Sequence, residues 1–107
     1  MNTLKHPIVS IGLPVYNGED FLKYALDSLL SQTLRDFELI ISDNASTDKT
    51  FQICKEYALK DKRISIYKNQ RNLGGIENFR IVFKKERGKY FMWASDCEIW
   101  HPEWFQK

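Results

Sequence analysis

The sequence predicts an α/β fold with a doubly wound, mainly parallel sheet of strand order 3-2-1-4 and helices on both faces. Short apolar runs alternate three times with segments whose apolar residues recur at helical spacing, which is typical of alternating strands and helices. The apolar runs are nearly continuous, as in strands that are covered on both faces. A chain that winds outward through the second and third strands and returns for the fourth has the order 3-2-1-4, with right-handed crossovers.

The first strand is predicted from the apolar run at residues 8–13. Pro14 lacks an amide hydrogen and Asn17-Gly18 favours a turn, so we expect a loop to begin here. Apolar residues at helical spacing then predict a helix over residues 19–32.

The second strand is predicted at residues 37–42, followed by a polar loop over residues 43–48 whose side chains can cap the next helix. A third strand is predicted at residues 64–67. The helix between them is indicated by apolar residues that we expect to form its buried stripe: Phe51, Cys54, Tyr57 and Ala58.

A polar connection with two glycines, residues 69–75, follows the third strand. The third helix is expected to end near Gly88, and it is marked by Ile76, Phe79, Val82 and Phe83. Residues 90–94 form the predicted fourth strand, before an acidic turn at residues 95–98. Ligands of such sheets bind where the strand order reverses, so we expect the loops after the first, second and fourth strands to line one crevice.

Length and composition indicate a single domain over residues 1–107. The net charge of +2 is spread along the chain and gives no footprint for nucleic acid. The two cysteines lie in different local patterns, which argues against a disulfide framework and favours a reducing, cytoplasmic setting. No run approaches the ~20 apolar residues of a membrane span, so neither a span nor an apolar leader is expected.

The last residues of the chain indicate a helix that stops after little more than one turn. It would leave Trp100, Trp104 and Phe105 without partners. Apolar area of this kind is expected to be covered, either by more of a longer protein or by another chain, as in a homo-oligomer.

The motifs of the chain, in their order and spacing, resemble those of family 2 glycosyltransferases with the GT-A fold, which has a Rossmann-like sheet. The resemblance covers nearly all of the chain, and it is carried by Pro14-Val15-Tyr16-Asn17-Gly18, Ser31-Gln32-Thr33, Phe37-Glu38, Asp43-Asn44-Ala45-Ser46-Thr47-Asp48-Lys49-Thr50, Asn72-Leu73-Gly74 and Asp96-Cys97-Glu98 before Pro102. It implies the N-terminal, nucleotide-sugar-binding half of a longer enzyme. The catalytic residues are unknown, because the family's C-terminal half carries the catalytic base.

The resemblance implies that the nucleotide is bound by Pro14, Tyr16, Asn17, Asp43, Asn44, Arg71, Asn72 and Gly74. An oxygen of Asp43 or Asn44 could accept a hydrogen bond from the imide of uracil or thymine. The same two residues could instead only shape an Asx turn and cap the following helix. Tyr16 could lie near the base or seal the first helix against the sheet, and Arg71 is the candidate cation.

Asp96 and Glu98, one residue apart, resemble the family's Asp-x-Asp signature and imply a bound Mn²⁺ or Mg²⁺. Oxygen ligands suit both ions, which stabilise the charge that develops on a diphosphate leaving group. Cys97 stands where many relatives have the aspartate that holds the metal, and a thiol is a poor ligand for Mg²⁺. A solvated acidic turn is the alternative.

The function implied by the resemblance is transfer of a sugar from a nucleotide-diphosphate sugar, with UDP or dTDP as the nucleotide, to a saccharide or lipid-linked acceptor. The alternative is a non-catalytic nucleotide-binding or oligomerising module, degenerate or truncated. Polysaccharide biosynthesis and a peripheral place at the inner membrane face are also implied by the resemblance alone. A dinucleotide or phosphate-loop enzyme is disfavoured, because Gly12 and Gly18 are isolated and no Gly-Lys-Ser/Thr occurs.

Overall fold

The computed structural model describes residues 8–32 and 36–94, and it contains the predicted parallel sheet. The elements in chain order are β1 (Val9–Val15), α1 (Leu22–Leu30), β2 (Phe37–Asp43), α2 (Thr50–Lys60), β3 (Ile64–Lys68), α3 (Gly75–Lys84) and β4 (Tyr90–Trp93). Neighbouring strands are parallel, in the order β3-β2-β1-β4. The predicted α/β class and strand order are therefore confirmed.

The main core lies between one face of the sheet and the helices α1 and α2. Its buried members are Val9, Ile11, Leu13, Val15, Leu22, Leu26, Leu29, Phe37, Leu39, Ile41, Ile53, Cys54, Ile64 and Ala94. Strand residues two apart point to the same face, so β1 and β2 contribute alternate residues to this core. α3 lies on the opposite face, because the connection from β3 to β4 runs back across the sheet and crossovers are right-handed.

The first helix is shorter than predicted. α1 begins at Leu22 rather than residue 19 and ends at Leu30. Before it, the Gly18 carbonyl accepts hydrogen bonds from the amides of Phe21 and Leu22, which makes a separate turn. The Gly18 and Glu19 amides donate to side chains that follow β2, so contact with that loop sets the shape of the turn.

The buried stripe predicted for the second helix is wrong in part. Ile53 and Cys54 are buried in α2, whereas Phe51, Tyr57 and Ala58 are only partly buried. Tyr57 is held at the surface because its hydroxyl donates a 2.7 Å hydrogen bond to Asp27 of α1. Burial, together with the Asp27 carboxylate, raises the pKa of Tyr57 to about 12.

The third helix is present as predicted, but three of the four apolar residues that mark it face solvent. Val82 is buried, whereas Ile76, Phe79 and Phe83 are 76%, 41% and 52% exposed. Val82 lies over Gly12, where a Cβ would be 2.5 Å from Val82 Cγ1. α3 therefore approaches the sheet closely along a narrow strip. The rings of Phe79 and Phe83, which lie further out, pack edge-on against Trp93 and Phe91 of β4.

A buried carboxylate joins the amino ends of β1 and β2 to the turn before β4. Glu38, on β2, accepts hydrogen bonds from the Ser10 hydroxyl, from the Arg87 amide at 2.7 Å and from Arg87 Nε at 3.2 Å. The Gly88 amide donates to Ser10 Oγ at 2.6 Å. These bonds fix where β4 enters the sheet beside β1.

None of the described helices is long and apolar enough to cross a membrane.

We expect Glu38→Gln to lower the free energy of unfolding by about 1 to 3 kcal/mol, because it removes a buried charged acceptor from several donors. Chemical denaturation at neutral pH measures the change. The control is Glu77→Gln, which removes a carboxylate from the exposed pair with Arg80 at 3.8 Å and should change stability by about 0.5 kcal/mol or less. Equal effects of the two substitutions would contradict the structural role of Glu38.

Candidate functional site

Three loops meet at the carboxyl ends of β1, β2 and β3. The sheet ladder continues into them, since the Asn44 amide donates to the Val15 carbonyl at 2.9 Å and the Asn69 amide to the Asp43 carbonyl at 2.8 Å. The structure therefore brings together the loops that carry the predicted nucleotide-binding residues. The strand order reverses between β1 and β4, and the loop after β4, which was also expected at the crevice, lies outside the described residues.

Pro14 does not end the first strand, and the prediction that a loop begins there is wrong. It lies inside β1 and pairs with Ser42 of β2. The carbonyls of Ile8 and Gly12 accept hydrogen bonds on the β4 side of the strand. Pro14 lies two residues after Gly12, so its backbone also points to that side, beyond the last paired residue of β4. Within the described residues, the last bond of the β1–β4 ladder runs from the Ala94 amide to the Gly12 carbonyl. Pro14 has no amide hydrogen for the next bond, so the pairing with β4 ends here while the pairing with β2 continues.

The loops after β1 and β2 are joined by hydrogen bonds through Asn17. The Asn17 amide donates to Ser46 Oγ, and Asn17 Oδ1 accepts from the Thr47 amide, both at 2.8 Å. The Gly18 amide donates to Thr50 Oγ1, also at 2.8 Å. Asn17 has a positive φ of 49°, a region that asparagine tolerates better than most residues. The predicted site residue Asn17 thus holds two loops in one arrangement.

Asp48 strengthens the same junction. Its carboxylate accepts hydrogen bonds from the amide and hydroxyl of Thr50 and from the Glu19 amide. Glu19 Oε1 in turn accepts from the Lys49 amide at 3.0 Å. Partial burial alone would raise the pKa of Asp48, but the hydrogen bonds from Thr50 and Glu19 outweigh it and lower that pKa below its ordinary value.

Asp43 is fully buried and forms the predicted Asx turn. Its carboxylate accepts hydrogen bonds from the Ser46 amide at 3.0 Å and from the Ser46 hydroxyl at 2.5 Å. Ala45, inside this turn, has a positive φ of 65°, which is unfavourable for a residue with a Cβ. The shaping role of Asp43 is therefore present in the structure, and a contact with the nucleotide base stays a prediction.

Asn44 joins the loop after β2 to the loop after β3. Its side chain is hydrogen-bonded to Asn69, Asn72, Leu73 and Gly74. Arg71 lies between these anchor points, is exposed, and has no hydrogen bond or ion pair with any other described residue. Tyr16 is 47% exposed beside the loop after β1. The predicted roles of these residues toward a nucleotide stay predictions.

Two framework residues, Asn69 and Asn78, were not among the predicted site residues. Asn69 Nδ2 donates to Asn44 Oδ1 and to Asn78 Oδ1. Asn78 is 2% exposed on the inner side of α3 and also bonds to Ser42. The sequence held one signal for Asn78, which is its position as a polar residue within an apolar helical pattern. Such a residue is expected to be buried and to hydrogen-bond to a neighbouring element, because buried amides need partners.

The predicted metal ligands Asp96 and Glu98 lie outside the described residues, as do Cys97 and the aromatic residues Trp100, Trp104 and Phe105. Within residues 8–32 and 36–94, no group of three or more His, Cys, Asp or Glu side chains could hold a metal ion.

The family model described as Glycosyl transferase family 2 matches residues 10–107. The chain belongs to this family. It is 38% identical over 96 residues to an uncharacterized glycosyltransferase of Rickettsia typhi, covering 90% of this chain and 29% of that protein. The chain thus spans about a third or less of the length of the relatives that it matches most strongly.

Solved structures show the same fold. The chain matches S. aureus TarS residues 1–349 in complex with UDP with a TM-score of 0.85 and 25% identity, over 92% of this chain and 30% of that one. The same enzyme in complex with UDP-GlcNAc matches equally well. The mannosyltransferase PcManGT of Pyrobaculum calidifontis, in complex with GDP-Man and Mn²⁺, has a TM-score of 0.81 at 18% identity, with 92% and 30% covered. The predicted GT-A fold is confirmed.

We expect Ala45→Gly to raise the free energy of unfolding by up to about 1 kcal/mol, because glycine removes the Cβ strain of the left-handed backbone. The control is the same substitution in α2, Ala58→Gly, which should lower stability by about 1 kcal/mol. Thermal or urea unfolding of both variants checks the opposite signs. A loss of stability in both would contradict the strain at position 45.

Asp48 should make stability depend on acid pH. Because its pKa is lowered in the folded state, its contribution is complete above the ordinary value of about 3.8 and is lost as the pH falls through the lower folded value. Wild type should therefore lose stability faster than Asp48→Asn below about pH 4. Urea midpoints of the two from pH 7 downward measure this, with Asp20→Asn as the charge-matched control. Parallel curves for wild type and Asp48→Asn would contradict the prediction.

Proposed function

We propose that the chain is the donor half of a glycosyltransferase and binds a nucleoside diphosphate sugar at the carboxyl ends of β1, β2 and β3. The observation that carries the proposal is the joining of three polar loops at the carboxyl ends of the parallel strands β1, β2 and β3. Ligands of open parallel sheets bind outside the carboxyl ends of the strands. Loops tied to one another in the free protein lose little further entropy when a ligand binds. Family membership supports the same chemistry.

The proposed nucleotide is UDP or dTDP. TarS, at 25% identity, has been solved with UDP and with UDP-GlcNAc, which supports a pyrimidine nucleotide here. Exposed Arg71 is the candidate partner for the diphosphate, since a guanidinium binds phosphate oxygens in pairs. Pro14, Tyr16 and Gly74 are proposed to lie along the nucleotide.

Mn²⁺ or Mg²⁺ is the proposed cofactor, with Asp96 and Glu98 as its protein ligands. Two carboxylates one residue apart are a donor set that suits these hard cations, whereas the intervening Cys97 thiol does not suit Mg²⁺. When bound, the ion would stabilise negative charge on the diphosphate leaving group.

The complete protein is proposed to transfer the sugar to a saccharide or lipid-linked acceptor in polysaccharide biosynthesis. Its proposed place is the cytoplasm, at the inner face of the membrane. The exposed rings of Phe79, Phe83 and Trp93 favour coverage by a further protein surface, which more of a longer chain or a second copy in a homo-oligomer would supply.

Calorimetric titration of the chain with UDP, dTDP and GDP, each with Mn²⁺ and again with EDTA, tests the proposal. We expect UDP or dTDP to bind more tightly than GDP, and EDTA to weaken binding. Arg71→Gln should weaken diphosphate binding roughly tenfold through loss of a charged hydrogen bond. Arg80→Gln, which removes an exposed arginine from α3, is the control and should bind like wild type. Binding of none of the three nucleotides would contradict the proposal.

A further inference from the structure

The side-chain amide of Asn44 is saturated with hydrogen bonds to the loop after β3. Its oxygen accepts from the Leu73 amide and from Asn69 Nδ2, both at 2.9 Å. Its nitrogen donates to Asn72 Oδ1 at 2.9 Å and to the Gly74 carbonyl at 3.3 Å. A side-chain amide has two donor hydrogens and two acceptor lone pairs, so none is left for a ligand. Asn44 is also 3% exposed.

Two backbone groups determine which way the Asn44 amide points. The Leu73 N–H can only donate, so it requires the oxygen on its side. The Gly74 carbonyl can only accept, so it requires the nitrogen on the other. A carboxylate at position 44 would satisfy Leu73 but would place an oxygen against the Gly74 carbonyl and Asn72 Oδ1. Position 44 therefore needs a side chain with an acceptor on one side and a donor on the other, and the short amide of asparagine supplies both.

The loop is anchored a second time through Asn69 and Asn78. Asn69 Nδ2 donates to Asn78 Oδ1 at 3.0 Å, and Asn78 is bonded to Ser42 through both ends of its amide, at 2.7 and 3.0 Å. Exposed Arg71 lies between Asn69 and Asn72, and it has no hydrogen bond or ion pair within the described chain. The network therefore holds both sides of the segment that presents Arg71.

We infer that Asn44 is a positioning residue, which holds residues 69–74 in the shape that presents Arg71 and Asn72 to the nucleotide and leaves recognition of the base to other groups. The inference rests on the proposed function. Without the anchor, the loop must be ordered when a nucleotide binds, and the entropy lost in that ordering is the same for every base. A group that contacted the base would instead affect the nucleotides differently.

Asn44→Leu and Asn44→Asp test the two parts of the inference. Leucine removes every hydrogen bond of the side chain at position 44, so amide hydrogen exchange at Leu73 should accelerate about tenfold or more. Aspartate keeps an acceptor for Leu73, but Asn72 must then turn its amide to donate to the new carboxylate, which leaves the Gly74 amide without its 2.8 Å acceptor. In that variant the acceleration should therefore appear at Gly74. The Leu39 amide, bonded to the Arg63 carbonyl within the sheet, should exchange as in wild type and shows that the fold is intact.

Dissociation constants for UDP, dTDP and GDP distinguish a loss of loop positioning from a mere loss of stability of the folded protein. Both variants should weaken every nucleotide that wild type binds by a common factor, roughly threefold to thirtyfold, so the ratios between nucleotides stay constant. Gln52→Glu is the control for an added charge, because it places a carboxylate at an exposed side chain of α2 outside the loop, and it should bind nucleotides like wild type.

A changed ratio between UDP and GDP would overturn the inference, since it would assign base recognition to Asn44. Unchanged exchange at Leu73 in Asn44→Leu and at Gly74 in Asn44→Asp would overturn it as well. Failure of wild type to bind any nucleotide would contradict the proposed function instead. The exchange rates do not depend on a bound ligand, so the two failures can be told apart.

Discussion

The structure depends on the burial of β2 on both faces along its whole length. All seven of its residues are buried, although Glu38, Ser42 and Asp43 are polar. A buried polar group without a partner is unfavourable by about 1 to 3 kcal/mol, so each one must meet a group from another element. Glu38 holds the turn before β4, Ser42 holds α3 through Asn78, and Asp43 shapes the loop before α2. The polar residues of one strand thus determine where three neighbouring segments lie.

The element sequence could be predicted because it depends on patterns that are complete within each segment, and the strand order followed from the doubly wound topology with right-handed crossovers. The buried faces of α2 and α3 could be predicted only in part. In α3 the apolar residues Ile76, Phe79 and Phe83 follow the helical period, yet all three stay exposed. Val82 fits closely over Gly12, whereas the rings of Phe79 and Phe83 meet the edge strand β4. The narrow strip of contact is a property of the partner surface, and the helix's own sequence does not contain it.

The meeting of the loops after β1 and β2 was predictable from topology, and the Asx turn at Asp43 was one of two roles that the sequence allowed. The part taken by the loop after β3 was not predicted, and the expected loop after β4 lies outside the described residues. The four bonds of Asn44 were not predictable, because their partners lie more than 20 residues further along the chain and leave no local pattern. Pro14 shows the same limit. Proline interrupts the ladder only on the side of β1 that faces β4, where the pairing stops, while the ladder with β2 continues through Val15. Only the register of the strands reveals to which side Pro14 points.

Gly12 has a consequence for the site although it lies within the sheet. Because a Cβ there would lie 2.5 Å from Val82 and 2.7 Å from Phe91, hydrogen is the largest substituent that lets α3 rest on β1. α3 begins directly after Gly74, the last residue of the anchored loop. A side chain at position 12 would push Val82 and with it α3 away from the sheet, and would thereby displace the start of α3 next to the anchored loop. A substitution within the sheet can therefore disable the site without altering a residue that lines it.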